Sequence, residues 1–215
     1  MANQSYAYAT GNLRAKEAGF LTTQDLEQMM GQKDIPHLLA FLGEKGFGSG
    51  GETDVEAVLR AETQKVWDTL RDVSPDFSLF APFLYRYDFH NAKVILKGTF
   101  RDRSYDSLLL YPVTVEPSLL EAAVRENRFN VLPPRMADAM EEAYTLLAQT
   151  ADPQKSDAVL DKACMAAMRE AAEDAKVPLL EELINHMVFY ADVKIALRAA
   201  RAGKDKAFLD MALCP

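Results

Sequence analysis

The chain has 215 residues, of which 49% are hydrophobic and 26% charged, and its formal net charge is −8. This balance is typical of a folded protein and excludes a disordered chain, because enough apolar side chains are present to build a core. The net negative charge argues against a dedicated nucleic-acid-binding protein, since phosphate contacts need a basic surface. The two cysteines, Cys164 and Cys214, indicate no disulfide framework and favour a reducing compartment.

The sequence predicts no segment that targets or crosses a membrane. The amino terminus lacks a basic head followed by an apolar run, so no secretory signal is predicted. No stretch approaches the roughly 18 consecutive apolar residues that a spanning helix needs. If the protein works at a membrane, we expect it to act from outside the bilayer.

Short helices are predicted at the start of the chain. The first covers residues 6–20, and Thr22 with Asp25 then forms the capping signature of a second helix that ends near Met30. Pro36 is predicted to open a third helix, which ends near the sequence GFGSGG. These glycines are not followed by Lys and Ser or Thr, so a flexible linker is favoured over a phosphate-binding loop.

A longer helix is predicted after the glycines. Thr53 and Glu56 have the spacing of a capping box, and the pattern predicts a helix to about Asp72. Its apolar residues at helical spacing are expected to face the core, and they are Val55, Leu59, Val66 and Leu70.

The stretch YRYDFHNAKVILKG, residues 85–98, predicts the central helix of the chain. Gly98 is expected to cap its carboxyl end. Its packed face contains one polar residue, Asn91, where an unpaired amide would cost about 1–3 kcal/mol. We therefore expect Asn91 to have a hydrogen-bond partner, with Asp88 one turn back as the nearest candidate. The apolar members of the same face are Leu84, Tyr87, Val94 and Ile95.

This helix recurs later in the chain. The stretch FYADVKIALR, residues 189–198, aligns with it at an offset of 101 residues, which places Asp192 at the position of Asn91. A polar residue at the same point of two apolar helices indicates an internal duplication. Asp88, Asn91 and Asp192 are then the polar positions of a repeated helix. The predicted domains are residues 1–115, an N-terminal helix plus a first helical unit, and residues 116–215, a second unit.

The segment between the two copies combines an extended stretch with further helices. LLLYPVTV, residues 108–115, is predicted to be an extended buried arm, because no second strand is predicted to pair with it. Further helices are expected over residues 117–127, over 133–149, from Ser156 as a cap, and over 178–202. The third of these is expected to bury Leu160, Cys164, Ala167 and Met168. The predicted fold class is therefore all-α.

No catalytic, cofactor or metal site is predicted. The three histidines, His37, His90 and His186, do not pair on one helical face as a zinc site requires. Cys164 is interpreted as a small buried hydrophobe, because no base is suggested nearby in the sequence. Met136, Met140, Met165 and Met168 recur at helical spacing and are interpreted as core residues.

Basic residues cluster after each copy of the repeated helix. Lys93, Lys97, Arg101 and Arg103 form the first cluster, and Lys194, Arg198, Arg201 and Lys204 form the second. Cations near the carboxyl end of a helix compensate its dipole, which explains part of each cluster without any function. The alternative is that both clusters belong to a partner interface, where charges steer association and fix register.

Three stretches of the sequence carry a resemblance to a known family, and they are YAYATGNLRAKEAGFLTTQDLEQMM, RYDFHNAKVILKG and VFYADVKIALRAARAGK. They resemble the C subunit (also called d) of the V-type and archaeal-type rotary ATPases. The resemblance implies an all-helical, funnel-like and pseudo-symmetric protein at the cytoplasmic face of the membrane. It implies a non-catalytic central-stalk subunit that couples central-shaft subunits to the rotor-ring membrane subunits, in ATP-driven ion or proton transport or in ATP synthesis.

The family has a third helical unit, which this sequence is expected to lack. Two other functions stay open: a helical adaptor that binds other proteins outside a rotary ATPase, and an all-helical enzyme such as a prenyl-chain synthase. A repeat period near 100 residues counts against a common solenoid adaptor. The lack of an Asp-rich magnesium motif counts against the synthase.

Overall fold

The computed structural model describes residues 6–214, and every regular element in that range is helical. The predicted all-α fold class is therefore confirmed. The chain forms two compact units that divide between Phe77 and Ser78. The division predicted at residues 115 and 116 follows the sequence repeat rather than compactness, and the repeat itself stays a prediction.

Among the described residues of the first unit, from position 6 to 77, the structure forms four α-helices. They are α1 (Tyr6–Glu17), α2 (Thr23–Met30), α3 (Ile35–Glu44) and α4 (Val55–Val73). The capping box of α2 is confirmed, since the Thr22 hydroxyl accepts from the Asp25 amide and the Asp25 carboxylate accepts from the Thr22 amide. The box predicted at Thr53 is wrong, because Asp54 caps α4 by accepting from the amide of Ala57.

The buried face of α4 also differs from the prediction. Val55, Leu59 and Val66 are exposed, whereas Val58, Trp67 and Val73 are buried. The helix carries two apolar stripes. Burying the stripe that contains the large indole of Trp67 removes more apolar area from water than burying the other stripe would.

The second unit is organised around one long central helix. Its helices are α5 (Ala81–Arg101), α6 (Pro117–Glu126), α7 (Pro134–Thr150), α8 (Pro153–Ala175), α9 (Pro178–Arg201) and α10 (Lys206–Ala212). Helix α8 packs against α5, α7, α9 and α10. Its predicted core residues are confirmed as buried, and they are Leu160, Cys164, Ala167 and Met168. The four predicted core methionines are buried as well.

Two predicted helix ends in this unit are wrong. Gly98 lies inside α5, and a Cβ atom there would be 2.2 Å from Cδ1 of Tyr105, so the glycine permits close ring packing. The helix instead ends at Asp102, which has a φ of +49°. Ser156 lies inside α8, because Asp152 caps that helix through the amide of Gln154 and Pro153 follows in the first turn.

The arm between α5 and α6 is irregular, and within residues 6–214 the structure forms no strand. The burial predicted for residues 108–115 is wrong for most of them: Leu108 ends the short 3-10 helix Asp106–Leu108, and Leu108, Leu110 and Tyr111 are exposed, whereas Val115 is buried. The arm lies over the surface of α5, so only its far end reaches the core. Across residues 6–214 no helix is both long and apolar enough to pass through a bilayer.

A candidate protein interface beside the repeated helix

Asn91 fixes the arm to helix α5. Its side chain is fully buried. The Nδ2 amide donates to the carbonyl of Leu110 at 2.9 Å, and the Leu110 amide donates to Oδ1 at 2.8 Å. The prediction that Asp88 is the partner of Asn91 is wrong, because the two side chains bind different residues of the arm.

Asp88 anchors the end of the arm. Its buried carboxylate accepts from the amides of Thr114 at 2.8 Å and Val115 at 3.1 Å, and also from the Thr114 hydroxyl. The guanidinium of Arg135 lies 3.5 Å from Oδ2 and stacks over the Tyr85 ring at 4.2 Å. These donors satisfy the hydrogen-bonding capacity of the buried carboxylate.

Asp192, which the sequence alignment predicts to correspond to Asn91, makes a comparable contact on α9. Its Oδ1 accepts from the backbone amide of Cys214 at 3.1 Å. On α5 and on α9 a side-chain oxygen thus accepts a hydrogen bond from a segment that follows the helix, 19 positions on for Asn91 and 22 for Asp192. Phe189 occupies the position of Asp88 and is 59% exposed.

Two of the predicted interface lysines form ion pairs inside the second unit. Lys93 pairs with Asp161 at 2.5 Å and Lys97 with Asp157 at 2.9 Å. Both ion pairs join α5 to α8, and the order of the partners shows that the two helices run antiparallel. Lys204 lies over the ring of Phe208, at 5.2 Å. The remaining predicted cations make no ion pair within the described part of the chain, and they are Arg101, Arg103, Lys194, Arg198 and Arg201.

A groove of about 920 Å³ runs between α5, α8 and α9. Its apolar floor includes the half-buried Met187, with Met165 and Met168 buried beneath it, and its rim carries four cations. Two rim cations come from α5 and two from α9, and they are Arg86, Lys93, Lys194 and Arg198. Three predicted residues therefore meet here, and the prediction missed Arg86. A signal for it existed, because Arg86, His90 and Lys93 have the spacing of one helical face.

A smaller depression of about 460 Å³ brings three other predicted cations together beside the carboxyl end of α5. They are Lys97, Arg101 and Arg103, with Asp157 among them. Arg201 and Lys204 lie in neither surface. The assignment of all eight residues to an interface stays a prediction.

Helix α9 presents a second surface that is apolar and exposed. Leu179, Leu183, Val193 and Leu197 follow one another at helical spacing, and each is 39–76% exposed. Leu180, Ile184 and Val188 on the opposite face are buried. A contiguous patch of exposed apolar side chains marks an interaction site more often than singly scattered ones do.

The Cys164 thiol is buried in the second unit. Burial raises the pKa of the Cys164 thiol to about 12, so this sulfur stays protonated and unreactive. No group of three or more His, Cys, Asp or Glu residues is positioned to hold a metal ion among residues 6–214.

Comparison with known proteins places the chain in a family. Residues 9–213 match the model of the ATP synthase (C/AC39) subunit. The chain is also 25% identical over 177 residues to the C subunit of the V-type sodium ATPase of Enterococcus hirae, an alignment that covers 80% of this chain and 54% of the relative. The chain therefore spans about half the length of the curated relative that it matches. Because the family model matches nearly the whole sequence, the chain belongs to the ATP synthase (C/AC39) subunit family.

Proposed function

We propose that the protein is a non-catalytic central-stalk subunit of a rotary ATPase, which couples the central shaft to the membrane rotor ring at the cytoplasmic face. Family membership supports a place in such a complex. The partners follow from this role: central-shaft subunits on one side and rotor-ring subunits on the other. The protein would reach the membrane only through them.

One observation carries the coupling role: the second unit has two exposed surfaces of different chemistry. The groove between α5, α8 and α9 is rimmed by cations, whereas the outer face of α9 is apolar. A coupling subunit must hold two partners at once, and surfaces of different chemistry let it bind each one selectively. Helix α8 packs against four other helices, which gives both surfaces one stiff support.

A binding experiment tests this role. The full chain is mixed with the purified central-shaft subunits of the same ATPase, and separately with its detergent-solubilised rotor ring, and complexes are detected by size-exclusion chromatography. We expect complexes with both partners. A folded chain that binds neither would contradict the coupling role and favour an adaptor outside the ATPase.

A further inference from the structure

The lining of the groove has the composition of a protein interface. Met187, Tyr87 and Tyr190 line it at the surface, and Met165, Met168 and Phe89 lie buried beneath them. Buried interface centres are enriched in methionine, aromatic residues and arginine, and depleted in carboxylates. The groove fits this profile, because Asp161 is its one carboxylate among the described residues, although the whole chain has 32 Asp and Glu residues.

The charges of the groove call for an anionic occupant. Lys93 already pairs with Asp161, so those two residues compensate each other. Arg86 on α5 and Lys194 and Arg198 on α9 are exposed and make no ion pair among the described residues. Both long edges of the groove thus carry uncompensated positive charge, on a chain whose net charge is −8.

The shape of the groove fits one helix. Arg86 and Lys93 are two turns apart on α5, and Tyr190 and Arg198 are about two turns apart on α9, so each wall is roughly 10–12 Å long. Met187 on the floor is only half-buried, and its flexible side chain can adapt to an irregular apolar surface. A groove between two helices with an apolar floor is the recognised site for an amphipathic helix. An anionic lipid surface would compensate the cations, but a flat surface would not fill a concave apolar floor.

We infer that this groove binds a single amphipathic helix of a central-shaft subunit, with its apolar face on the apolar floor of the groove and carboxylates along its edges. Those carboxylates pair with Arg86 on one wall and with Lys194 and Arg198 on the other. The inference rests on the proposed function, which supplies the shaft as partner. The groove supplies the chemistry by which that partner is recognised.

Charge reversal tests the electrostatic part. Arg86→Glu with Arg198→Glu is compared with Lys33→Glu and Arg60→Glu, which change the net charge equally at exposed positions outside the groove. We expect the groove variant to lose about ten- to a hundred-fold in affinity for the shaft subunits at low salt, and less at high salt. The control pair should bind like the unmodified protein. Equal affinities for the two variants would overturn the inference.

Photo-crosslinking identifies the occupant. A photoreactive amino acid replaces Tyr190 in the groove or, as a control, Tyr111, whose exposure of 52% is close to the 60% of Tyr190. In a mixture of chain, shaft and ring, we expect position 190 to crosslink to a shaft helix that carries carboxylates at its edges. A crosslink to a protein of the ring, to a second copy of the chain or to a neutral loop would overturn the inference. Shaft binding without any crosslink from position 190 would also overturn it but would leave the proposed function standing. A chain that binds neither partner contradicts the proposed function itself.

Discussion

Asn91 and Leu110 exchange two hydrogen bonds, one in each direction, at 2.9 and 2.8 Å. The amide side chain both donates and accepts, so it mimics the backbone of a neighbouring strand in a protein whose described residues form none. The backbone amide and carbonyl of Leu110 in the arm thereby find their hydrogen-bond partners on a helix. This explains why a fully buried polar residue interrupts the apolar face of α5.

Replacing Asn91 should destabilise the protein. Asn91→Ala leaves the amide and carbonyl of Leu110 without these partners, and we expect the free energy of unfolding to fall by about 2–3 kcal/mol. Urea denaturation measures the change. Asn185→Ala on the exposed side of α9 is the control and should change stability by less than about 0.5 kcal/mol. A loss for Asn91→Ala as small as that of the control would contradict the role of the amide.

Replacing Asp88 should lower the free energy of unfolding by more than replacing Asn91 does. Asp88→Ala removes the acceptor of two backbone amides and leaves the mostly buried Arg135 guanidinium without its ion pair. We expect a loss of about 3–5 kcal/mol in the free energy of unfolding. The comparison is with Asp138→Ala, an exposed position on α7. If Arg135→Met restores little of the stability lost in Asp88→Ala, the unpaired cation is not the main cause of the loss.

The helices and their buried faces could largely be predicted from the sequence. The face of α8 that contains Leu160 and Met168 is a single apolar stripe, so its spacing was sufficient to identify it. Helix α4 has two stripes, and only the packing of Trp67 decides between them. The position of Ser156 fitted a cap equally well, but Asp152 lies just before Pro153 and caps α8 instead.

The groove could not be predicted because it depends on distant segments. Lys93 and Lys194 come from helices 101 residues apart and meet only where both pack on α8. The partner of Asn91 lies in the arm, which has no periodic pattern that would reveal its path. Sequence spacing reports contacts within one helix, whereas these contacts join separate segments.

Lowering the pH should reveal how far the ionised carboxylate of Asp25 stabilises the first unit. The ammonium of Lys45 at 2.5 Å and the hydroxyl of Thr22 hold the pKa of the Asp25 carboxyl well below its usual value. A depressed pKa in the folded state means that the unfolded chain binds more protons, so this stabilisation is present at neutral pH and is lost as the pH falls.

We therefore expect Asp25→Asn to lower the melting temperature at pH 7, with a gap to the unmodified protein that narrows as the pH falls below about 4. Thermal melts from pH 3 to 7 measure this gap. Asp138→Asn, an exposed control, should show little difference at any pH. A gap for Asp25→Asn that is independent of pH would show that the carboxylate charge is not what stabilises the folded state.

The two cysteines should differ in reactivity. Burial raises the pKa of Cys164 to about 12, and its side chain is only 7% exposed, whereas Cys214 is partly exposed. We expect iodoacetamide at pH 8 to modify Cys214 in the native protein and to leave Cys164 unmodified until urea unfolds the chain. Peptide mass spectrometry locates the modified residue. Rapid native modification of Cys164 would mean that this part of the core opens readily.

The apolar face of α9 should be needed for binding and not for folding. Leu197 on this face is 58% exposed, and Leu59 on α4 is 55% exposed, so the two leucines form a matched pair. Neither Leu197→Glu nor Leu59→Glu buries a charge in a core, and we expect each to change the free energy of unfolding by less than about 0.5 kcal/mol. Leu197→Glu should nevertheless weaken complex formation with the shaft or the ring by about tenfold or more, because a charge would then enter an apolar contact. Pull-down titrations of both variants against both partners measure the effect. If the two variants bind equally well, the exposed face of α9 is not a contact surface in the complex, and the coupling role would have to depend on the groove alone.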